Sequence, residues 1–178
     1  MKVMLADRRR TPVSPWVTLV ERAVVFGDAE PQSFHSIAIH DYISVLGITK
    51  DGYVPLVQQY RPALERRTVE LPGGLLDNPN EEPAFAMSRE LYEETGHRAS
   101  VGKMQLLGKL DPDSGRLENR LWAFFAPGLE IDPAWKPEPM VEPLLLKLPE
   151  FLDWIRDGRF THAPHMAIVG MALLRRLI

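Results

Sequence analysis

The chain alternates short apolar stretches with polar breaks, and the first half reads as strands. WVTLVERAVVF, residues 16–26, is rich in β-branched and aromatic residues, and the GDAEPQ that follows is a turn signal. A second apolar stretch, SIAIHDYISVLGI at 36–48, runs into Lys50-Asp51-Gly52, a hairpin-like turn, and then YVPLVQQY at 53–60. TVELPGGLLDNPNEEP, 68–83, predicts a short strand and then a loop punctuated by Gly73, Gly74, Pro79 and Pro83. From Pro83, a residue tolerated in a first helical turn, AFAMSRELYEET predicts a helix stopped by Gly96.

That helix has an apolar stripe, Ala84, Met87 and Leu91, within about 60° at 100° per residue, while Glu90, Glu93 and Glu94 fall on a different arc. Beyond it SVGKMQLLGKL (100–110) and RLWAFFAPGL (120–129) read as strands. DPAWKPEPMVEP (132–143) reads as a long Pro-rich loop, PLLLKL as a further strand, and PEFLDWIRDG and THAPHMAIVGMALLRRLI as two helices. Strands with few helices predict an α+β or layered α/β domain. Residues 1–38 are expected to form a separate small antiparallel region and 39–178 the main domain.

Length and composition bound this picture. The 178 residues are enough for one domain with a modest extension, and 45% hydrophobic with 25% charged residues is the balance of a globular protein. A net charge of −3, with both signs mixed along the chain, gives no bulk attraction for nucleic acid or an anionic membrane, and the run Arg8 to Arg10 is too short to change that. With no cysteine there is no disulfide, thiolate metal site or cysteine nucleophile. No apolar stretch of signal-peptide or membrane-spanning length is present, so a cytoplasmic location is the default expectation.

The acidic end of the helix breaks local rules. Glu90 shares a helix face with both Glu93 and Glu94, and like charges at those spacings cost a few tenths of a kcal/mol each. The last turn also carries the negative end of the macrodipole, which favours cations. Such conflicts concentrate at functional sites, where a cation absent from the sequence supplies the compensation.

Seven residues separate Glu81 from Arg89, and Arg89-Glu90-Leu91-Tyr92-Glu93-Glu94-Thr95-Gly96 follows without a gap. With Gly74 ahead of it, this resembles the Nudix hydrolase box: Gly, five residues, Glu, seven residues, Arg-Glu, an apolar residue, any residue, Glu-Glu, any residue, Gly, then an apolar residue. Two positions depart: six residues stand between Gly74 and Glu81, and His97 holds the final apolar place. VQQYRPALERRTVELPGG, 57–74, resembles the segment entering the box in the ADP-ribose pyrophosphatase and nucleoside-diphosphate-sugar hydrolase group. Pro112, fifteen residues after His97, resembles a position associated with ADP-ribose hydrolysis.

The resemblance implies an α/β/α sandwich with a mixed central sheet and an N-terminal antiparallel β extension that makes a homodimer contact. It implies Mg²⁺, with Mn²⁺ as a substitute, and hydrolysis of the diphosphate of ADP-ribose or a related nucleoside diphosphate sugar. GDP-mannose, ADP-glucose or another dinucleotide are the alternative substrates, and a non-catalytic nucleotide-sugar-binding regulator is the alternative class. Glu90 and Glu94 are the implied leading metal ligands, Glu93 a further ligand or the base, and the Gly73 carbonyl a backbone ligand. Arg89 and Glu81 are implied to orient loop and helix through a salt bridge, with Gly74 and Gly96 as structural box positions.

A catalytic base from beyond the box would be Glu138 or Glu142, each otherwise an ordinary solvated loop residue. Arg61 is implied to contact phosphates, against a surface ion pair. Trp16 is a base-stacking candidate, against a buried strand residue. His162 and His165, at the start of the last helix, are expected to pack or cap rather than bind metal.

Overall fold

The computed structural model describes residues 1–78, 80–137 and 141–178. Two compact units result. The first comprises Met1–Asp41 with Asp111–Arg120, the second Tyr42–Leu110 with Leu121–Ile178. In the first, β1 (Val3–Pro12), β2 (Thr18–Phe26) and β3 (Gln32–Ala38) form an antiparallel sheet in that order. Every residue of β1 is exposed, Val3, Met4 and Leu5 among them, and Val20 on the central strand is buried. The Asp111–Arg120 segment joins this unit through Glu118, whose carboxylate accepts from Arg22 and from the Ser36 hydroxyl at 2.7 Å.

The second unit holds the mixed sheet. β4 (Asp41–Thr49) runs parallel to β10 (Leu121–Ile131), with β7 (Gly73–Leu76) on the far side of β4. β8 (His97–Arg98) and β9 (Gln105–Leu110) pair antiparallel with β10. A second sheet orders β11 (Val141–Lys147), β5 (Tyr53–Arg61) and β6 (Arg66–Glu70). The helices are α1 (Pro83–Thr95), α2 (Leu148–Arg156) and α3 (Ala163–Leu174).

Two-residue alternation gives β4 and β10 two buried faces. Ile43, Val45, Phe124 and Ala126 meet Ala86, Met87 and Leu91 of α1. Leu46, Ala123 and Phe125 belong to a second cluster with Phe151 of α2, Phe160, and Ile168 and Val169 of α3. Helices therefore cover both faces of a mixed sheet, as the α+β sandwich expectation required.

Four local expectations differ. The stretch at 36–48 is two strands broken at Ile39–His40, one in each unit, with the polar pair His40–Asp41 standing where its two apolar runs part. The turn at Lys50–Gly52 is real, with Gly52 at φ 84°, yet β4 and β5 enter different sheets and form no hairpin ladder. Gly73 and Gly74 lie in a strand rather than a loop. β11 begins at Val141, so Glu142 stands opposite Gln58 in a ladder rather than in the Pro-rich loop. Glu138 lies outside the described residues. No helix among the described residues is long and apolar enough to cross a membrane.

Candidate active site

The sequence builds α1 with both ends specified. Glu82 caps its start by accepting from the Ala84 and Phe85 N–H groups, Pro83 occupies the first turn, and Gly96 ends it at φ 71° with its N–H on the Tyr92 carbonyl. In the segment between Gly74 and Glu81, the Glu81 N–H donates to the Asn78 carbonyl at 3.1 Å. His97, at the box's apolar position, is buried, and that burial lowers its pKa, so it fills the place as a neutral ring.

The acidic residues do not share one environment. Glu94 is only 8% exposed, on the packed side of α1, although its position in the sequence puts it on a different arc from the apolar stripe. Its one hydrogen bond among the described residues is from the Gly73 N–H, at 2.9 Å. Burial, with Glu90 nearby, pushes its carboxyl up to about 8. Glu90 crowds the next glycine: a Cβ on Gly74 would lie 2.7 Å from the Glu90 carboxylate. A Cβ on Gly73 would collide with the Ile43 carbonyl. Gly73 is therefore required for β7 to lie against β4, whereas a side chain at Gly74 would have to push the Glu90 carboxylate aside.

Arg89 gathers the remaining charge. Its guanidinium donates to Glu90 at 2.8 Å and Glu93 at 2.9 Å, and reaches Glu81 at 3.4 Å. Bonding to Glu81, then the fields of Glu90 and Glu93, raises its pKa further. The box arginine thus holds three carboxylates rather than the single expected partner. A buried carboxylate with one backbone donor, beside a second carboxylate, is short of positive charge. An all-oxygen donor set of this kind suits a hard divalent cation, so the residues present fit the ion implied by the box.

Arg61, at the end of β5, makes a two-pronged bond to Glu70, Nε to Oε1 at 2.8 Å and Nη2 to Oε2 at 2.6 Å. Glu70 also accepts from the Thr68 hydroxyl at 2.6 Å. Although burial raises its pKa, these bonds outweigh it and hold the carboxyl down at about 2. His162 caps α3 by accepting from the His165 N–H, and His165 Nδ1 accepts from the Leu71 N–H at 3.0 Å, so both act as structural residues. Burial and the neighbouring His162 push His165 down to about 3.

Glu70, His162 and His165 bring potential ligand atoms within 4.8 Å of one another. A neutral imidazole has one lone-pair nitrogen, and in both rings that nitrogen, Nδ1, is taken by a backbone N–H. Each Nε2 therefore carries hydrogen and cannot ligate, so this group is an anchor and not a metal centre. Neither the Glu70 cluster nor Trp135, described below, was picked out from the sequence. A glutamate in the apolar run Val69–Leu71 was the available signal for the first; Trp135 gave none, because its partner is 42 residues away.

The other candidates are dispersed. Glu142 is exposed and paired with Arg67 at 2.6 Å. Trp16 is 57% exposed in the turn between β1 and β2, edge-on to His40 at 6.4 Å, and not a buried strand residue. Pro112 lies in the segment that joins the N-terminal unit.

The NUDIX domain family model matches residues 39–164. An ADP-ribose pyrophosphatase of Mycobacterium tuberculosis is 38% identical over 87 residues, 49% of this chain and 41% of that protein. The Bacillus subtilis ADP-ribose pyrophosphatase is 46% identical over 57 residues, 32% of this chain and 30% of its own length. A methanol dehydrogenase activator of Bacillus methanolicus is 31% identical over 120 residues, 66% of this chain and 63% of its own. The matched region spans less than two thirds of each relative. The solved structure of an ADP compounds hydrolase has the same fold, with a TM-score of 0.82 at 20% identity, covering 99% of this chain and 94% of that one.

Proposed function

The chain belongs to the NUDIX domain family, and from that premise we propose that it is a divalent-cation-dependent pyrophosphohydrolase acting on ADP-ribose or a related nucleoside diphosphate sugar, with a nucleoside monophosphate and a sugar phosphate as products. The observation that carries this reading is the seating of Glu90 and Glu94 against the Gly73–Gly74 backbone. The names of two relatives, both ADP-ribose pyrophosphatases, support the substrate class.

In this reading Glu90, Glu94 and the Gly73 carbonyl hold Mg²⁺, or Mn²⁺ in its place, with Glu93 as a further ligand or as base. The bound ion neutralises the diphosphate oxygens and acidifies water. Arg61 offers the N–H groups not engaged by Glu70 to a non-bridging phosphate oxygen. A carboxylate, Glu138, Glu142 or Glu93, takes a proton from the attacking water as its oxygen bonds to phosphorus. The bridging P–O bond breaks, and its electron pair leaves with the departing phosphate. We place the enzyme in the cytoplasm, which the cysteine-free composition supports, and as a homodimer, which the exposed apolar residues of β1 support.

The test is a panel of nucleoside diphosphate sugars incubated with Mg²⁺, products being identified directly and phosphate release coupled to a phosphatase. Fastest turnover of ADP-ribose is expected. Preference for GDP-mannose, ADP-glucose or a dinucleotide would redraw the substrate, and tight binding without cleavage would replace the enzyme by a regulator.

A further inference from the structure

An ion pair between an arginine and a glutamate is ordinarily a surface feature of small energetic consequence. The pair at the end of β5 is different. Thr68, Glu70, Val57 and Gln59 occupy facing positions of one β5–β6 ladder, Val57 opposite Glu70 and Gln59 opposite Thr68, and Arg61 follows on the same face of β5. Glu70 is 2% exposed, while the Arg61 side chain is 44% exposed. The carboxylate is thus inside and its partner reaches outward. Burying a carboxylate costs several kcal/mol unless every lone pair is matched, and here the matching is dense. Thr68 and two guanidinium nitrogens donate to Glu70, and His162 Nε2 stands 3.8 Å from it. His162 is stacked on His165 with ring centroids 3.7 Å apart, and His165 is fastened to the Leu71 backbone.

The guanidinium therefore has one edge immobilised and one edge open, since Nη1 has no hydrogen-bond partner among the described residues. Glu94, the buried carboxylate of α1, lies close by: it accepts from the Gly73 N–H at 2.9 Å, three residues along the chain from Glu70, and feels the charge of Arg61. Two buried carboxylates thus stand near one arginine, and Glu70 holds it.

We propose that Glu70 is a positioning residue: it clamps Arg61 by one edge, leaving the other for the diphosphate and preventing the arginine from closing on Glu94 in place of the cation. This rests on the function proposed above for its phosphate arm alone. The clamp itself has two consequences that can be read without turnover. Without the clamp, Arg61 turns to Glu94 and competes with the ion. Without Arg61, nothing competes, whatever stands at position 70.

The experiment compares wild type, Glu70→Gln, Arg61→Ala and the double variant. Mn²⁺ is titrated without substrate and free ion is followed by electron paramagnetic resonance. A methylene-bridged ADP-ribose analogue is then titrated calorimetrically, with thermal melts as the folding control. Glu70→Gln is expected to weaken Mn²⁺ binding about tenfold, about 1.4 kcal/mol. Arg61→Ala and the double variant should bind Mn²⁺ at least as well as wild type. For the analogue, both single variants should lose affinity, and the double should lose no more than Arg61→Ala alone, because the two residues act as one unit.

A folded Glu70→Gln with wild-type affinity for both ligands would overturn the proposal, as would Mn²⁺ binding in the double variant as weak as in Glu70→Gln. Should Glu70→Gln fail to fold, Thr68→Val, which removes one of the clamp's donors, must shift both affinities in the same directions or the clamp is refuted. If the wild type binds Mn²⁺ but not the analogue, the substrate reading fails while the Mn²⁺ arm still decides the clamp.

Discussion

The indole of Trp135 lies directly on Gly96, so close that a Cβ there would sit 2.6 Å from the ring, and it donates its N–H to the Glu93 carbonyl at 3.2 Å. One aromatic side chain from beyond β10 thereby satisfies an orphan carbonyl at the end of α1 and covers the glycine that stops the helix. Asp132 reinforces the join: its N–H donates to the Gly96 carbonyl at 2.9 Å, and its carboxylate accepts from Tyr92 and Arg98.

Gly96→Ala should therefore be costly twice over. The left-handed conformation at φ 71° costs a non-glycine residue about 1–2 kcal/mol, and the methyl group must displace Trp135. Urea denaturation is expected to show a loss of at least about 2 kcal/mol. Trp135→Phe keeps the cover and removes the donor, so about 1 kcal/mol is expected from the unmatched carbonyl. Equal stability of Gly96→Ala and wild type would show that the indole moves aside freely.

Glu94 should make the cation-free protein weaker at high pH. Its folded-state pKa of about 8 stands above the ordinary 4.5 because burial penalises the charge. The stabilising contribution of the neutral carboxyl is complete below about pH 4.5 and is lost as pH rises through 8. Glu94→Gln removes this dependence. In chelator the variant should be more stable than wild type at pH 8–9, with the difference closing towards pH 4.5, while turnover falls by orders of magnitude. A stability difference independent of pH, or near wild-type turnover in saturating Mg²⁺, would remove Glu94 from this role.

The base can be located by comparing Glu138→Gln, Glu142→Gln and Glu93→Gln in single-turnover reactions. The variant lacking the base should react far more slowly while keeping affinity for a non-hydrolysable analogue and for Mn²⁺. Glu142 begins engaged with Arg67, so Arg67→Ala should alter the rate only if Glu142 is the base. If Glu138→Gln and Glu142→Gln both react at the wild-type rate, Glu93 remains.

Assembly is tested at β1. A homodimer should scatter light as twice the 20.2 kDa chain at micromolar concentration, and Leu5→Asp, placed on the fully exposed strand, should shift it toward monomer. A wild-type monomer mass would contradict the proposal.

The box itself was legible because its residues are contiguous and its chemistry is local: Pro83 and Gly96 bound α1, and the carboxylates follow at fixed spacing. Burial of Glu94 was not, since it depends on β7, whose two glycines looked like loop formers until β4 was found beside them. At Ile39–His40 the polar pair His40–Asp41 marks a break in the sequence, but the change of partner strands across it depends on contacts remote in the chain. The Glu70 clamp and the Trp135 cover needed contacts across 9 and 42 residues, which periodicity does not encode.

The parallel pairing of β4 with β10 also sets an order of events during folding. Residues 50–120 form the loop that this pairing closes, and α1 lies inside it. Closing a loop of about 70 residues costs roughly 4 kcal/mol of chain entropy before any contact compensates, so the pairing belongs to the slow, non-local part of folding. Phe124 and Ala126 complete the surface on which Met87 and Leu91 rest. On a ribosome, the acidic helix would thus have no finished seat until β10 had emerged, and the carboxylates would be gathered late, after most of the chain had been made.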